Sequence, residues 1–386
     1  MTYDLVFKNG HVADPEAGHI FEADVAISQG RIARIAPNID STGATTTVDA
    51  SRAIVCPGFI DLHTHVFTAR GPTRVDADTI GVEQGVAAVV DAGSFGPANG
   101  QEFLEKVVAL SKTRVFGFIN VSLHGINHDP GEASVQDWLS SDTVVSFARD
   151  HLDWIRGVKT RASASAVGSL DTAAVRAAKE AALGLGVPLM VHVGNAPPRL
   201  EDVCEFLEAG DIITHCFHGK SGGVITKGGA VLPAIRRAVE RGVYLDIGHG
   251  AGSFSFETAG KALGLGLRFH TISTDLHRSS FEGSVKSLTL TMTKLLHLGV
   301  ILEDIIKAVT LNPAKVLSVE DDYGRMAEGA PANLSIISIE DRALEMVDSY
   351  GNARTAERVI VPRYTVLAGQ LYPVELELNS WRRSPI

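Results

Sequence analysis

Eight short apolar runs between residues 59 and 273 constrain this chain more than any other feature. They lie at 59–62, 87–90, 115–121, 154–158, 188–191, 212–214, 243–247 and 270–273, separated by alanine-rich helical segments. Apolar runs of this kind that alternate with helices read as parallel strands buried on both faces. Eight such units is also the number that closes a (β/α)8 barrel of the TIM type. The intervening helices are expected at 173–185, with an apolar face of Ala, Val and Leu, at 231–241, and near 286–298 and 304–309.

The flanks read differently. Residues 1–57 lack a helical period, and 24–35 reads as a hairpin with Gln29-Gly30 at its tip. A short strand follows at 45–49. Alternation returns at 333–338, 357–361 and 364–367, with a turn at Gly369 before a last strand. Because chain termini often lie close in space, residues 1–57 and 316–386 are expected to build one composite β domain, a small sheet or sandwich. The barrel then occupies 58–315, and Arg382 and Arg383 end the chain in a solvated tail.

Charge and composition exclude several classes. With 45 acidic and 35 basic residues the net charge is −10, and no basic face for nucleic acid is evident. Aromatics at 6% do not supply a stacking platform for single strands. No apolar run approaches the roughly 18 residues that a membrane helix needs. Residues 1–10 carry no signal-peptide core, and Cys56, Cys204 and Cys216 are too few for a disulfide framework. The expectation is a soluble, cytoplasmic protein acting on a small molecule, with no nucleic-acid or membrane partner and with homo-oligomerisation left open.

The count that stands out is 14 histidines. In Gly58-Phe59-Ile60-Asp61-Leu62-His63-Thr64-His65, the two imidazoles sit two apart at the end of the first run and project to one face. Two such rings can share a metal. Other runs end comparably: Lys159 after the fourth, His192 after the fifth, His215 after the sixth and Asp275 after the eighth. Catalytic side chains of barrels sit at the C-terminal ends of strands, so these residues are expected to converge. Arg161, His124, His249, His218 and Lys220 lie near strand ends and are candidates for holding substrate. Arg161 can grip a carboxylate through its planar fork or pair with a protein carboxylate. His11, His19, His151, His270 and His297 lie away from strand ends and read as structural or solvated.

Pro57-Gly58-Phe59-Ile60-Asp61-Leu62-His63-Thr64-His65 resembles the first-strand motif of the amidohydrolase superfamily. Thr310-Leu311-Asn312-Pro313-Ala314-Lys315 and Gly329-Ala330-Pro331-Ala332-Asn333-Leu334 are similar to its closing motifs. Gly157-Val158-Lys159, Val191-His192-Val193-Gly194 and Thr214-His215-Cys216-Phe217-His218-Gly219 resemble a deacetylase-type branch related to dihydroorotases. The resemblance covers nearly the whole chain, and one departure, Asn333 where Asp is common, is remote from the chemistry.

The resemblance implies two divalent metals, most simply Zn2+. His63, His65 and Asp275 would hold one, and His192 and His215 the other. Lys159, carboxylated on its amine, would bridge them. It further implies attack by a metal-bridging hydroxide on an amide or ester carbonyl, with Asp275 as base and then acid. The favoured expectation is deacetylation of a small N-acyl or O-acyl α-substituted carboxylic acid. The alternatives are a cyclic-amide hydrolase of the dihydroorotase or hydantoinase kind and, from another class, a non-catalytic scaffold.

Overall fold

The computed structural model describes residues 2–71, 73–126 and 129–375. Arg382 and Arg383 lie outside the described residues. The first seven strands are β1 (Leu5–Lys8), β2 (His11–Asp14), β3 (His19–Glu22), β4 (Asp24–Ser28), β5 (Arg31–Ala36), β6 (Thr46–Asp49) and β7 (Ile54–Pro57). The barrel strands are β8 (Phe59–Thr64), β9 (Val86–Ala92), β10 (Arg114–Asn120), β11 (Ile155–Ala162), β12 (Leu189–Val193), β13 (Ile212–Thr214) and β14 (Tyr244–Asp246). The chain ends with β15 (Leu334–Val347), β16 (Ala353–Leu367) and β17 (Gln370–Pro373).

Strands β8 to β14 pair in parallel in chain order. Every residue of β8 and β9 is buried, as parallel strands covered on both faces require. The eighth apolar run differs from the expectation, because 270–273 forms no ladder strand. It closes the barrel through isolated parallel bridges, Thr271 to Asp246 and Leu276 to Thr64. Its polar side chains explain this. Thr271 and Ser273 donate to the buried Asp246 carboxylate, and Thr274 donates to Asp61 on β8. Side-chain bonds to two buried carboxylates therefore complete the closure alongside backbone bonds such as Asp275 N to His63 O, at 2.7 Å.

The helices Ala173–Leu185 and Pro233–Glu240 lie where the sequence places them, and Leu288–His297 and Leu302–Val309 follow the closing run. The hairpin β4–β5 forms around Gln29 and Gly30, both at positive φ.

The flanks make two sheets, within the expected sheet or sandwich built from both chain ends. Strands β5-β4-β1-β6 form one, and β17-β16-β15-β7-β2-β3 form the other, uniting both chain ends. What reads as separate strands at 357–361 and 364–367 is a single strand, β16, paired with the equally long β15. The tip of this β15–β16 hairpin reaches the barrel loops that follow β13 and β14. Ser349 and Phe254 exchange bonds, N to Oγ at 3.1 Å and N to O at 3.0 Å. Phe256 N donates to Asp348 Oδ2, and the Tyr350 hydroxyl accepts from Gly219 N and donates to Gly252 O.

Candidate active site

His63 and His65 leave β8 on one face, as a strand's period of two dictates, and both are buried. Asp275 is delivered opposite them by the closing run. Its Oδ1 lies 2.9 Å from His65 Nε2 and 3.5 Å from His63 Nε2. The ligand atoms of these three residues all fall within 4.8 Å of one another. From β11 comes Lys159, fully buried, with Nζ 3.0 Å from His63 Nε2. From β12 and β13 come His192 and His215, whose Nδ1 and Nε2 face each other at 2.8 Å. His215 Nε2 stands 3.9 Å from Asp275 Oδ2. The six residues that the sequence reading singled out thus form one continuous cluster.

Neighbouring groups fix which ring nitrogen points inward. His63 Nδ1 meets Thr214 Oγ1 at 2.9 Å, and that hydroxyl donates to Asp246 at 2.7 Å. His65 Nδ1 meets Ser94 Oγ at 2.9 Å, and His215 Nδ1 donates to Gly248 O at 2.5 Å. Backbone shape contributes too. His215 and Asp275 both adopt positive φ, 69° and 52°, a conformation costly for such residues that concentrates at functional sites. A side chain at Gly250 would sit 2.5 Å from Asp275 Oδ2, so only glycine leaves that carboxylate its place.

The electrostatics suit a cation. Burial first, and then nearby positive charge, holds His63 and His192 well below the usual imidazole range. Burial likewise lowers His65 to about 3 and His215 to about 4. All four rings therefore offer lone pairs at neutral pH, the form that binds a metal. Burial alone would raise the Asp275 pKa, but His63, His65 and His277 around it outweigh that and keep it ionised. Burial brings the Lys159 amine down to about 7. Neutral imidazoles converging on an ionised carboxylate in a buried pocket fit a divalent metal: His63, His65 and Asp275 would hold one ion, and His192 with His215 has the donor set for another.

The same shifts make a test. The unfolded chain protonates these imidazoles below about pH 6.5, whereas folded His215 does so only near 4 and His65 near 3. Folding therefore excludes protons in this window, so stability is lost as pH falls from 6.5 toward 4. Each ring costs about 1.4 kcal/mol per pH unit. Chelator-treated protein should lose Tm steeply over that range, and a flat profile would show that the rings are not held neutral.

The remaining candidates are placed unevenly. Arg161 lines the cavity beside the cluster, but its Nε and Nη2 grip Glu132 at 2.6 and 2.5 Å. His249 lies off the cavity wall, its Nε2 2.8 Å from Lys294 Nζ and its ring stacked on Phe254. His124 is exposed and packs edge-on against Trp138. His218 is buried behind β13, with Nδ1 accepting from Lys220 N. Sequence reasoning missed His277, whose Nδ1 lies 3.8 Å from Asp275 Oδ1, and Arg74, which lines the same cavity. His277 stands two residues beyond Asp275, the same spacing as His63 and His65, a signal that was available. That cavity holds about 120 Å3.

The amidohydrolase family profile matches residues 153–370. A deacetylase of Agrobacterium fabrum is 36% identical over 344 residues, covering 88% of this chain and 84% of the relative. Among solved structures, one described as an adenine deaminase superposes with a TM-score of 0.89 at 33% identity, covering 96% of this chain and 100% of that one. Another, described as a dihydroorotase, gives 0.88 at 32% identity, covering 96% and 97%. One fold at nearly equal identity thus carries three differently named activities, so the substrate must be read from the site.

Proposed function

The chain belongs to the amidohydrolase family of metal-dependent hydrolases, and on that premise we propose that it removes an acetyl group from a small N-acyl or O-acyl compound bearing an α-carboxylate. The observation that carries this reading is the cavity of about 120 Å3, where the candidate ligand cluster faces Arg74 and the Arg161–Glu132 pair. That space suits a compact molecule with one anionic end. The similarity to a deacetylase over most of both chains supports the acyl group.

We further propose two divalent metals, with zinc the best match to an imidazole-rich set with carboxylate oxygens. His63, His65 and Asp275 would hold one, His192 and His215 would hold the other, and Lys159, if carboxylated on Nζ, would supply oxygens to both. When bound, the metals polarise the scissile carbonyl and supply a nucleophilic water at neutral pH. The chain's own residues do the rest. Asp275 takes the proton that the attacking water loses and returns it to the departing nitrogen or oxygen. His65 and His63 face that carboxylate through Nε2, at 2.9 and 3.5 Å, where the metal would sit between them. The free, buried thiols of Cys56, Cys204 and Cys216 agree with a reducing, cytoplasmic setting.

The test is a hydrolysis screen of the metal-loaded protein against N-acetyl amino acids, O-acetyl hydroxy acids, cyclic amides and adenine. Turnover of the acetyl acids is expected. Turnover of dihydroorotate alone would move the assignment to cyclic-amide hydrolysis, and ammonia release from adenine alone would move it to deamination.

A further inference from the structure

We propose that Arg74, on the loop after β8, is the residue that captures the substrate's carboxylate, and that Arg161 is not. The assignment rests on the site being the hydrolytic centre described above, but not on the identity of the acyl group.

Arg74 lines the cavity together with His65, Lys159 and Asp275. Its Nε is buried without a hydrogen-bond partner, and among the described residues its guanidinium makes no ion pair. A desolvated arginine left in this state is costly, because each unmade bond to a charged group forfeits a large share of its hydration. Carboxylates do lie near enough to favour its charge, Asp91 foremost, then Asp275 and Glu132. Each is already engaged. Asp91 accepts from Val66 N and Ser94 N, Asp275 faces the histidines, and Glu132 holds Arg161. The positive charge is thus balanced at a distance while its donors are left for a ligand.

Arg161 is the opposite case. Its fork is occupied by both oxygens of the buried Glu132, which leaves that pair a support of the wall.

Arg74 is also held in place. Val75 N donates to His65 O at 3.2 Å, and Arg278 N donates to Thr73 O at 2.8 Å. The loop that bears it is therefore tied both to the His63/His65 strand and to the segment following Asp275. A planar guanidinium so fixed matches a carboxylate's two oxygens. It would set the acyl group at a constant offset from Asp275.

The experiment measures binding and hydrolysis separately on the metal-loaded enzyme. Lactate and lactamide serve as binding probes, followed by calorimetry, for wild type, Arg74→Met and Arg74→Lys. Lactate should bind wild type and weaken roughly 10- to 100-fold in Arg74→Met, with partial recovery in Arg74→Lys, which keeps charge but not the fork. Lactamide affinity, metal content and Tm should stay unchanged, which a merely structural arginine would not allow. Equal lactate affinity in wild type and Arg74→Met overturns the proposal, as does a wild type that binds no lactate, or a parallel loss for both probes. Carboxylate binding that depends on Arg74 without turnover of any acetyl acid would sink the deacetylase reading and leave this one standing. Turnover that ignores Arg74 would do the reverse.

Discussion

Asp275→Asn is expected to lower turnover by roughly two to four orders of magnitude while the protein keeps most of its metal. In the proposed mechanism the carboxylate would be both a donor to the metal and the group that moves the proton. The amide retains an oxygen that can face His65 and His63 but has lost the basicity to accept a proton. Among the described residues the surroundings offer no substitute: in the proposed site His65, His63 and His215 would serve as ligands, and His277 Nδ1 is tied to the Asp275 carbonyl oxygen at 2.8 Å. Metal analysis beside kcat for a substrate found in the screen separates the two roles. A variant within a few-fold of wild type would remove Asp275 from proton transfer. Loss of metal in proportion to activity would reduce it to a ligand.

Lys159→Ala is expected to abolish measurable turnover. An ammonium at this place would repel a metal and has no lone pair to offer one. Burial brings the amine to about 7, so a large fraction is neutral near physiological pH. A neutral amine adds to carbon dioxide, forming a nitrogen–carbon bond and releasing one proton, and the resulting carbamate carries the negative charge and two oxygens that a pair of metals needs. Short carboxylic acids supplied to the Lys159→Ala protein should restore part of the activity by filling the same space. Extra density on Nζ in a metal-loaded crystal is the direct check. A bare ammonium in a fully active, metallated crystal would rule the bridge out.

The convergence of the candidate cluster was legible because barrels put function at strand ends, and strands can be found from apolar runs alone. His63 and His65 needed only the period of two, and Lys159, His192, His215 and Asp275 needed only the ends of runs. Residues carried on loops had no such marker. Arg74 sits in irregular chain between β8 and β9, and Glu132, the partner of Arg161, lies in the loop after β10. Lys294 was hidden differently. The helix Leu288–His297 has almost every position buried, threonines included, so no polar face announced a buried amine against His249. The closing run failed as a strand because its backbone makes only isolated bridges while its hydroxyls serve Asp246 and Asp61. The long arms of β15 and β16 are hidden in the sequence by irregularities at Ile336/Ile337 and Asp341/Leu344 and by Pro362, which break the alternation without ending the pairing.

Asp348, Ser349 and Tyr350 give the site loops a brace that comes from outside the barrel. The candidate ligands and the brace are thus encoded in separate parts of the chain, some 70 residues apart from Asp275 to the hairpin tip. Exchanging residues 248–256 for those of a relative would bring a new loop beside Asp275 without its anchor. Grafts that move the hairpin tip along with that loop should retain order where single grafts lose it, so in this architecture a change in that loop is a paired inheritance rather than a local edit.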